Sequence, residues 1–247
     1  MWKQLQARLK SEKAVQGVVV LGLLGMLCIL ASSCFSKPKE TDTQQTNHSS
    51  EDSVLAASAY CTELEEQLEQ TLSTIQGAIR ALREEKDVFF LFAGHGNKME
   101  KLRGIIAQES IENVRIHSFL HGQDFQDALA VSDCALISLE KGATGLCVPS
   151  KTYSYMMQGI PLLAIMDECD IVRDIQSGAG LWVRNGESER LAKAIRFLRD
   201  NPEKARDMRR KCRELYLQKY TTEICTGKYV SLFRELLHPE TGEENEL

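Results

Sequence analysis

Cys134-Ala135-Leu136-Ile137-Ser138-Leu139 leads through a Gly142–Gly145 loop into Val148-Pro149-Ser150-Lys151-Thr152-Tyr153-Ser154-Tyr155-Met156-Met157-Gln158-Gly159-Ile160-Pro161, and then into Leu162-Leu163-Ala164-Ile165-Met166. The stretch reads as strand, loop, short helix, strand. Pro149 opens the helix and Gly159 ends it. A helix N-terminus carries unpaired N–H groups and a partial positive charge. With Ser150 and Lys151 in its first turn, directly after a strand, it predicts a phosphate seat. A capped helix beside a surface lysine has the same spacing, so spacing alone leaves both readings open.

Outward from this stretch the pattern repeats. Val88–Ala93 is a wholly apolar run, the mark of a strand buried on both faces. Gly94-His95-Gly96 turns it into a helix over Lys98–Glu109. Val114–Phe119 predicts a strand and Asp124–Val131 a helix; Leu181–Val183 predicts a last strand. Three helices follow, over Glu189–Leu198, Pro202–Tyr220 and Thr222–Leu237. Strand-helix alternation predicts an α/β fold, a Rossmann-like parallel sheet over residues 83–237 with helices on both faces. Ligands on such sheets sit at the carboxyl ends of the strands. Gly94 and Gly96, the loop at Gly122, the Pro149-Ser150-Lys151-Thr152 turn and Asp167-Glu168 all fall at such ends, so they predict one nucleotide-sized site.

The first third differs in character. Residues 1–13 carry Lys3, Arg8, Lys10 and Lys13 against Glu12, and Val15 to Phe35 is apolar but for Gln16 and small residues. That run is long enough to cross a bilayer as a helix, which takes ~20 residues. The preferred reading of residues 1–35 is therefore a transmembrane anchor with its N-terminus in the cytoplasm. A lipoprotein signal with Cys34 as lipid acceptor and a cleaved signal peptide are the competing readings. Residues 36–53 are polar and predict a flexible tether. Over 54–82, Val54, Ala57, Cys61, Leu64, Leu68, Leu72, Ile75, Ile79 and Leu82 recur at helical spacing. That stripe suits packing on the following domain or a coiled coil with a second copy. Gly77 interrupts it and predicts a boundary. Residues 238–247 form a polar tail.

Composition excludes other classes. A net charge of −5 does not support a general nucleic-acid binder. The eight cysteines include no C-x-x-C pair and no zinc spacing, and several lie in apolar runs as core residues. No Ser/His/Asp order, metal set or Walker loop is present, so no metal or resident cofactor is expected and the catalytic residues stay unassigned. Glu168 and Asp170 are placed either to meet sugar hydroxyls or to stabilise a helix N-terminus.

A family is visible in Phe90-Leu91-Phe92-Ala93-Gly94-His95-Gly96, Asn113-Val114, Phe119-Leu120-His121-Gly122, Ser132-Asp133-Cys134, the Val148–Met156 run, Gly159-Ile160-Pro161-Leu162-Leu163, Gly178-Ala179-Gly180 and Leu191-Ala192-Lys193-Ala194-Ile195. With these motifs, residues from about 79 to 237 resemble the C-terminal, donor-binding half of group 1 (family 4) glycosyltransferases of the GT-B fold. The resemblance implies a nucleotide-sugar as co-substrate, with its diphosphate near Gly94, Gly96, Pro149, Ser150, Lys151 and Thr152. It also implies transfer with retention to a polysaccharide or other glycan acceptor held by a separate domain. The chain departs from the family at the paired glutamates, where Leu146 and Ser154 stand. It also departs in lacking the basic residues usually found at the start of the donor half, which should lie upstream of residue 79, and in lacking the acceptor domain. Residues 1–77, through Trp2-Lys3-Gln4-Leu5, the apolar run and Tyr60–Glu69, resemble the N-terminal part of stage III sporulation protein AG, which implies a chimeric chain joined near residues 77–79. The expectation is a membrane-anchored, nucleotide-sugar-binding glycosyltransferase half completed by a partner with the acceptor domain. The alternative is a non-catalytic, membrane-anchored assembly subunit that oligomerises through helix 54–82.

Overall fold

The computed structural model describes residues 18–23, 70–94, 97–144 and 146–237. In chain order these form strand β1 (Val18–Leu23), helix α1 (residues 70–81), β2 (Val88–Ala93), α2 (Asn97–Gln108), β3 (Val114–His117), α3 (Gly122–Val131) and β4 (Cys134–Ser138). Then come α4 (Lys151–Met157), β5 (Leu162–Ile165), α5 (Asp170–Asp174) running into a π-helical turn (Ile175–Ala179), β6 (Gly180–Val183), α6 (Ser188–Asp200), α7 (Pro202–Lys219) and α8 (Thr222–Leu237). The six strands make one parallel sheet in the order β3-β2-β1-β4-β5-β6. This is the doubly wound order, in which the direction of winding reverses between β1 and β4.

Alternate strand residues sort to opposite faces, as the period of two requires. Phe90, Phe92, Cys134, Leu136, Leu163 and Ile165 pack on one face with α1, α2 and α6. Leu91, Ala135, Ile137, Leu162 and Ala164 pack on the other with α3, α4, α5 and α7. Both faces are covered, which is why these strands read as unbroken apolar runs. Cys134 and Cys212 are buried free thiols, and burial raises the pKa of both, to about 12 for Cys212.

The first third requires corrections. Val18–Leu23, inside the expected transmembrane helix, is the strand β1, paired with β2 on one side and β4 on the other. A segment bonded on both edges within a sheet is not at the same time a membrane-spanning helix. Three consecutive valines favour the extended chain, and an all-apolar run does not by itself distinguish a buried strand from a helix. Among the described residues no helix is long and apolar enough to cross a membrane. The lipid-acceptor candidate Cys34, the tether, residues 54–69 of the expected amphipathic helix and the polar tail lie outside the described residues.

The part of the apolar stripe that is described, Leu72, Ile75, Ile79 and Leu82, is buried against the sheet, so these residues serve the domain and not a coiled coil. Gly77 is no boundary but a helix residue at a close approach. A Cβ there would lie 2.4 Å from Ser188 Oγ at the start of α6.

Candidate functional site

The carboxyl edge of the sheet gathers the predicted loops, but not every predicted residue reaches the surface there. Gly94 ends β2 with φ 144°, a conformation that favours glycine, and its N–H donates to the His117 carbonyl at 3.0 Å, extending the pairing with β3. Gly96 lies outside the described residues.

After β4 the chain turns through Gly142, whose N–H donates to Asp167 Oδ2 at 3.2 Å and so ties this loop to the end of β5. Pro149 is part-buried and its carbonyl accepts from the Thr152 N–H at 2.9 Å. Ser150 precedes α4 in a helical conformation, exposed, and its hydroxyl makes no capping bond. Lys151 opens α4 half-buried, and that burial lowers the pKa of its ammonium. Thr152 is fully buried, and its hydroxyl has no hydrogen-bond partner among the described residues. The surface of the expected phosphate seat is thus formed by Ser150 and Lys151, with Thr152 facing the core.

Glu168 and Asp170 stand exposed at the start of α5, and Asp170 is engaged by Arg173 at 2.6 Å. The two departures from the family pattern also separate in space. Leu146 is 81% exposed on the loop. Ser154, with Tyr153, Tyr216, Tyr220 and Tyr229, lines an open cleft of about 380 Å³ between α4, the end of α7 and α8. Among the described residues, none of those between β5 and α5 lines that cleft.

A polar cluster on the same edge was not anticipated. Lys98, in the first turn of α2, is ion-paired with Glu140, just past β4. The Thr71 hydroxyl, near the start of α1, lies 2.8 Å from Glu140 Oε2 and 2.8 Å from Asn185 Oδ1. Asn185 Nδ2 donates to the Leu139 carbonyl at 3.0 Å, and the Gly186 N–H donates to the Thr74 hydroxyl at 2.7 Å. The loops after β4 and β6 and the starts of α1 and α2 are thereby joined. The signal in sequence was position: Lys98, Glu140 and Asn185 each follow a strand end by a few residues. Among the described residues no three His, Cys, Asp or Glu side chains are grouped to hold a metal ion.

Comparison with known proteins agrees with this architecture. The sequence profile described as "Glycosyl transferases group 1" matches residues 53–201, across the expected junction at 77–79. The chain is 32% identical over 99 residues to a probable glycosyltransferase, WbjE, of Pseudomonas aeruginosa, covering 40% of this chain and 24% of that protein. A glycosyltransferase from Rickettsia africae superposes with a TM-score of 0.61 at 14% identity, over 98% of this chain and 53% of its own. HepE from Anabaena, solved in complex with UDP-glucose, superposes with a TM-score of 0.58 at 13% identity, over 93% of this chain and 52% of its own. At such identities the superpositions establish the fold. The chain spans about a quarter of the curated relative and about half of each of these solved structures.

Proposed function

We propose, from the premise that this chain belongs to the glycosyl transferases group 1 family, that it is a donor-binding half of a glycosyltransferase and seats a nucleotide-sugar where the strand order reverses. The observation that carries this reading is the doubly wound sheet with Ser150 and Lys151 at its carboxyl edge, inside the family match. The half-buried Lys151 has lost part of its hydration, and a diphosphate placed against it would restore a favourable partner. The Ser150 hydroxyl, free of any capping bond, adds a donor beside it. HepE was solved with UDP-glucose, so UDP-sugars are the first donors to test. Lysines rather than a metal would oppose the diphosphate.

Transfer with retention, to a glycan acceptor held by a second domain, completes the proposal. That acceptor-binding half lies outside the described domain. With Leu146 and Ser154 in place of the paired glutamates, neither position offers the donor a carboxylate.

Titration calorimetry of the full chain with UDP-, GDP- and dTDP-sugars tests the reading. One donor class is expected to bind. Lys151→Gln is expected to weaken it about 10- to 100-fold, the range for a hydrogen bond to a charged group. Absence of binding with all three classes would overturn the proposal.

A further inference from the structure

We propose that Lys98 is a second cation for the donor diphosphate, and that Glu140 is the counter-anion it holds while the seat is empty. The assignment rests on the nucleotide-sugar reading above. It starts from the strand order. Lys98 lies just beyond β2 and Glu140 just beyond β4, with β1 between those strands. Their ion pair therefore crosses the carboxyl end of β1, where the order reverses and where sheets of this kind take their ligands.

The two partners are held unequally. Glu140 is almost fully buried, its side chain 6% exposed against 28% for Lys98. Lys98 reaches Glu140 Oε1, and the Thr71 hydroxyl meets Oε2. Asn185 ties Thr71 to the Leu139 carbonyl one residue before Glu140. The carboxylate is thus held beside the Thr71 hydroxyl of α1, whereas among the described residues Lys98 bonds only Glu140, at the end of a flexible four-carbon stem. Lys98 is the member free to turn.

Stability gives no sufficient reason for the pair. Withdrawing two charges from water carries a desolvation penalty that their attraction often only offsets, and apolar side chains would fill the same space without it. A ligand supplies the reason. An ammonium waiting at a diphosphate seat needs a counter-charge, and a fixed carboxylate provides one. A diphosphate carries more negative charge than Glu140 and draws Lys98 away from it. Because α2 and α4 pack on opposite faces of the sheet, Lys98 and Lys151 approach the crevice from its two sides.

The full chain is titrated with UDP and with uridine; if the preceding titration selects another nucleotide, its diphosphate and nucleoside replace them. Lys98→Gln is expected to weaken the diphosphate about 10- to 100-fold and leave the nucleoside unchanged. Lys98→Arg is expected to stay within about threefold of wild type, since the charge is kept. Glu140→Gln removes a carboxylate from the seat but keeps its shape, and is expected to tighten the diphosphate about 2- to 5-fold. The opposite signs are decisive, because a merely structural ion pair would move affinity in one direction for both. Lys98→Gln that leaves the diphosphate unaffected, or weakens nucleoside and diphosphate alike, overturns the assignment alone. Weakening by Glu140→Gln does the same. A wild-type chain that binds no nucleotide overturns the functional reading, and this assignment with it.

Discussion

β1 and β2 lie side by side, paired residue for residue from Val18↔Val88 to Leu23↔Ala93, yet the chain delivers them in different ways. β2 is a short apolar island between Asp87 and Gly94, with α2 starting three residues after the glycine. β1 is cut from the first half of a long apolar run from Val15 to Phe35, and the next described element starts at residue 70. Their compositions are alike. What differs is the punctuation, and punctuation tells a reader of the sequence where an apolar run stops being a strand. The comparison teaches that hydrophobicity selects burial, while the surroundings select whether the burial is in a sheet or in a bilayer.

The harshest way to break the comparison is to remove β1. A chain lacking residues 1–53 would leave β2 and β4 with an empty edge each in the centre of the sheet. Its whole stability, of the order of 5–15 kcal/mol for a domain, is expected to be lost. Urea titration followed by near-ultraviolet circular dichroism should show no cooperative transition. A cooperatively folded truncation would return residues 15–35 to the role of an anchor.

A finer cut compares single positions. Val20→Pro places proline in a strand bonded on both sides and should cost about 3 kcal/mol or more. Phe90→Ala, at the fully buried ring stacked against Phe92 in β2, should cost about 3–5 kcal/mol. Comparable losses of midpoint in urea would put the two strands on an equal footing. A harmless Val20→Pro would remove β1 from the core.

The smallest effect lies on the outer side of β2, in the edge strand β3. Burial, aided by the nearby Arg103 and opposed by Asp124, lowers the pKa of His117 from its ordinary 6.5. The folded state then binds fewer protons than the unfolded state at and below that value, so stability falls as the pH drops from about 6.5. His117→Gln should flatten that part of the pH–stability curve. An unchanged curve would show that His117 does not contribute to the pH dependence.

How far the sequence could be read follows from the same contrast. The strands and helices from residue 88 onward were legible because turn residues bracket each apolar run: Gly94 after β2, Gly159-Ile160-Pro161 before β5 and Gly180 at β6. β1 was not, because Gln16-Gly17 before it and Gly25 after it stand inside the longer apolar run and do not end it. In the candidate site, the position of Ser150 and Lys151 at a helix start was legible, and the burial of Thr152 was not, since the turn of a seven-residue helix decides which side chain faces inward. The Lys98–Glu140–Thr71–Asn185 cluster could not have been assembled from spacing. Its members come from four separate segments, and only the strand order brings them together.

The position of β1 also sets a timetable. As the chain leaves the ribosome, the strand destined for the centre of the sheet is made first, and its first neighbour follows only at Val88. Its other neighbour waits until Cys134. During that interval an all-apolar segment has no sheet to enter, a condition that favours association with other chains. From then on the sheet grows outward from its middle, β2 and β3 on one flank and β4, β5 and β6 on the other, each new strand finding an edge already built. Slower synthesis between residues 23 and 88 would lengthen that exposure.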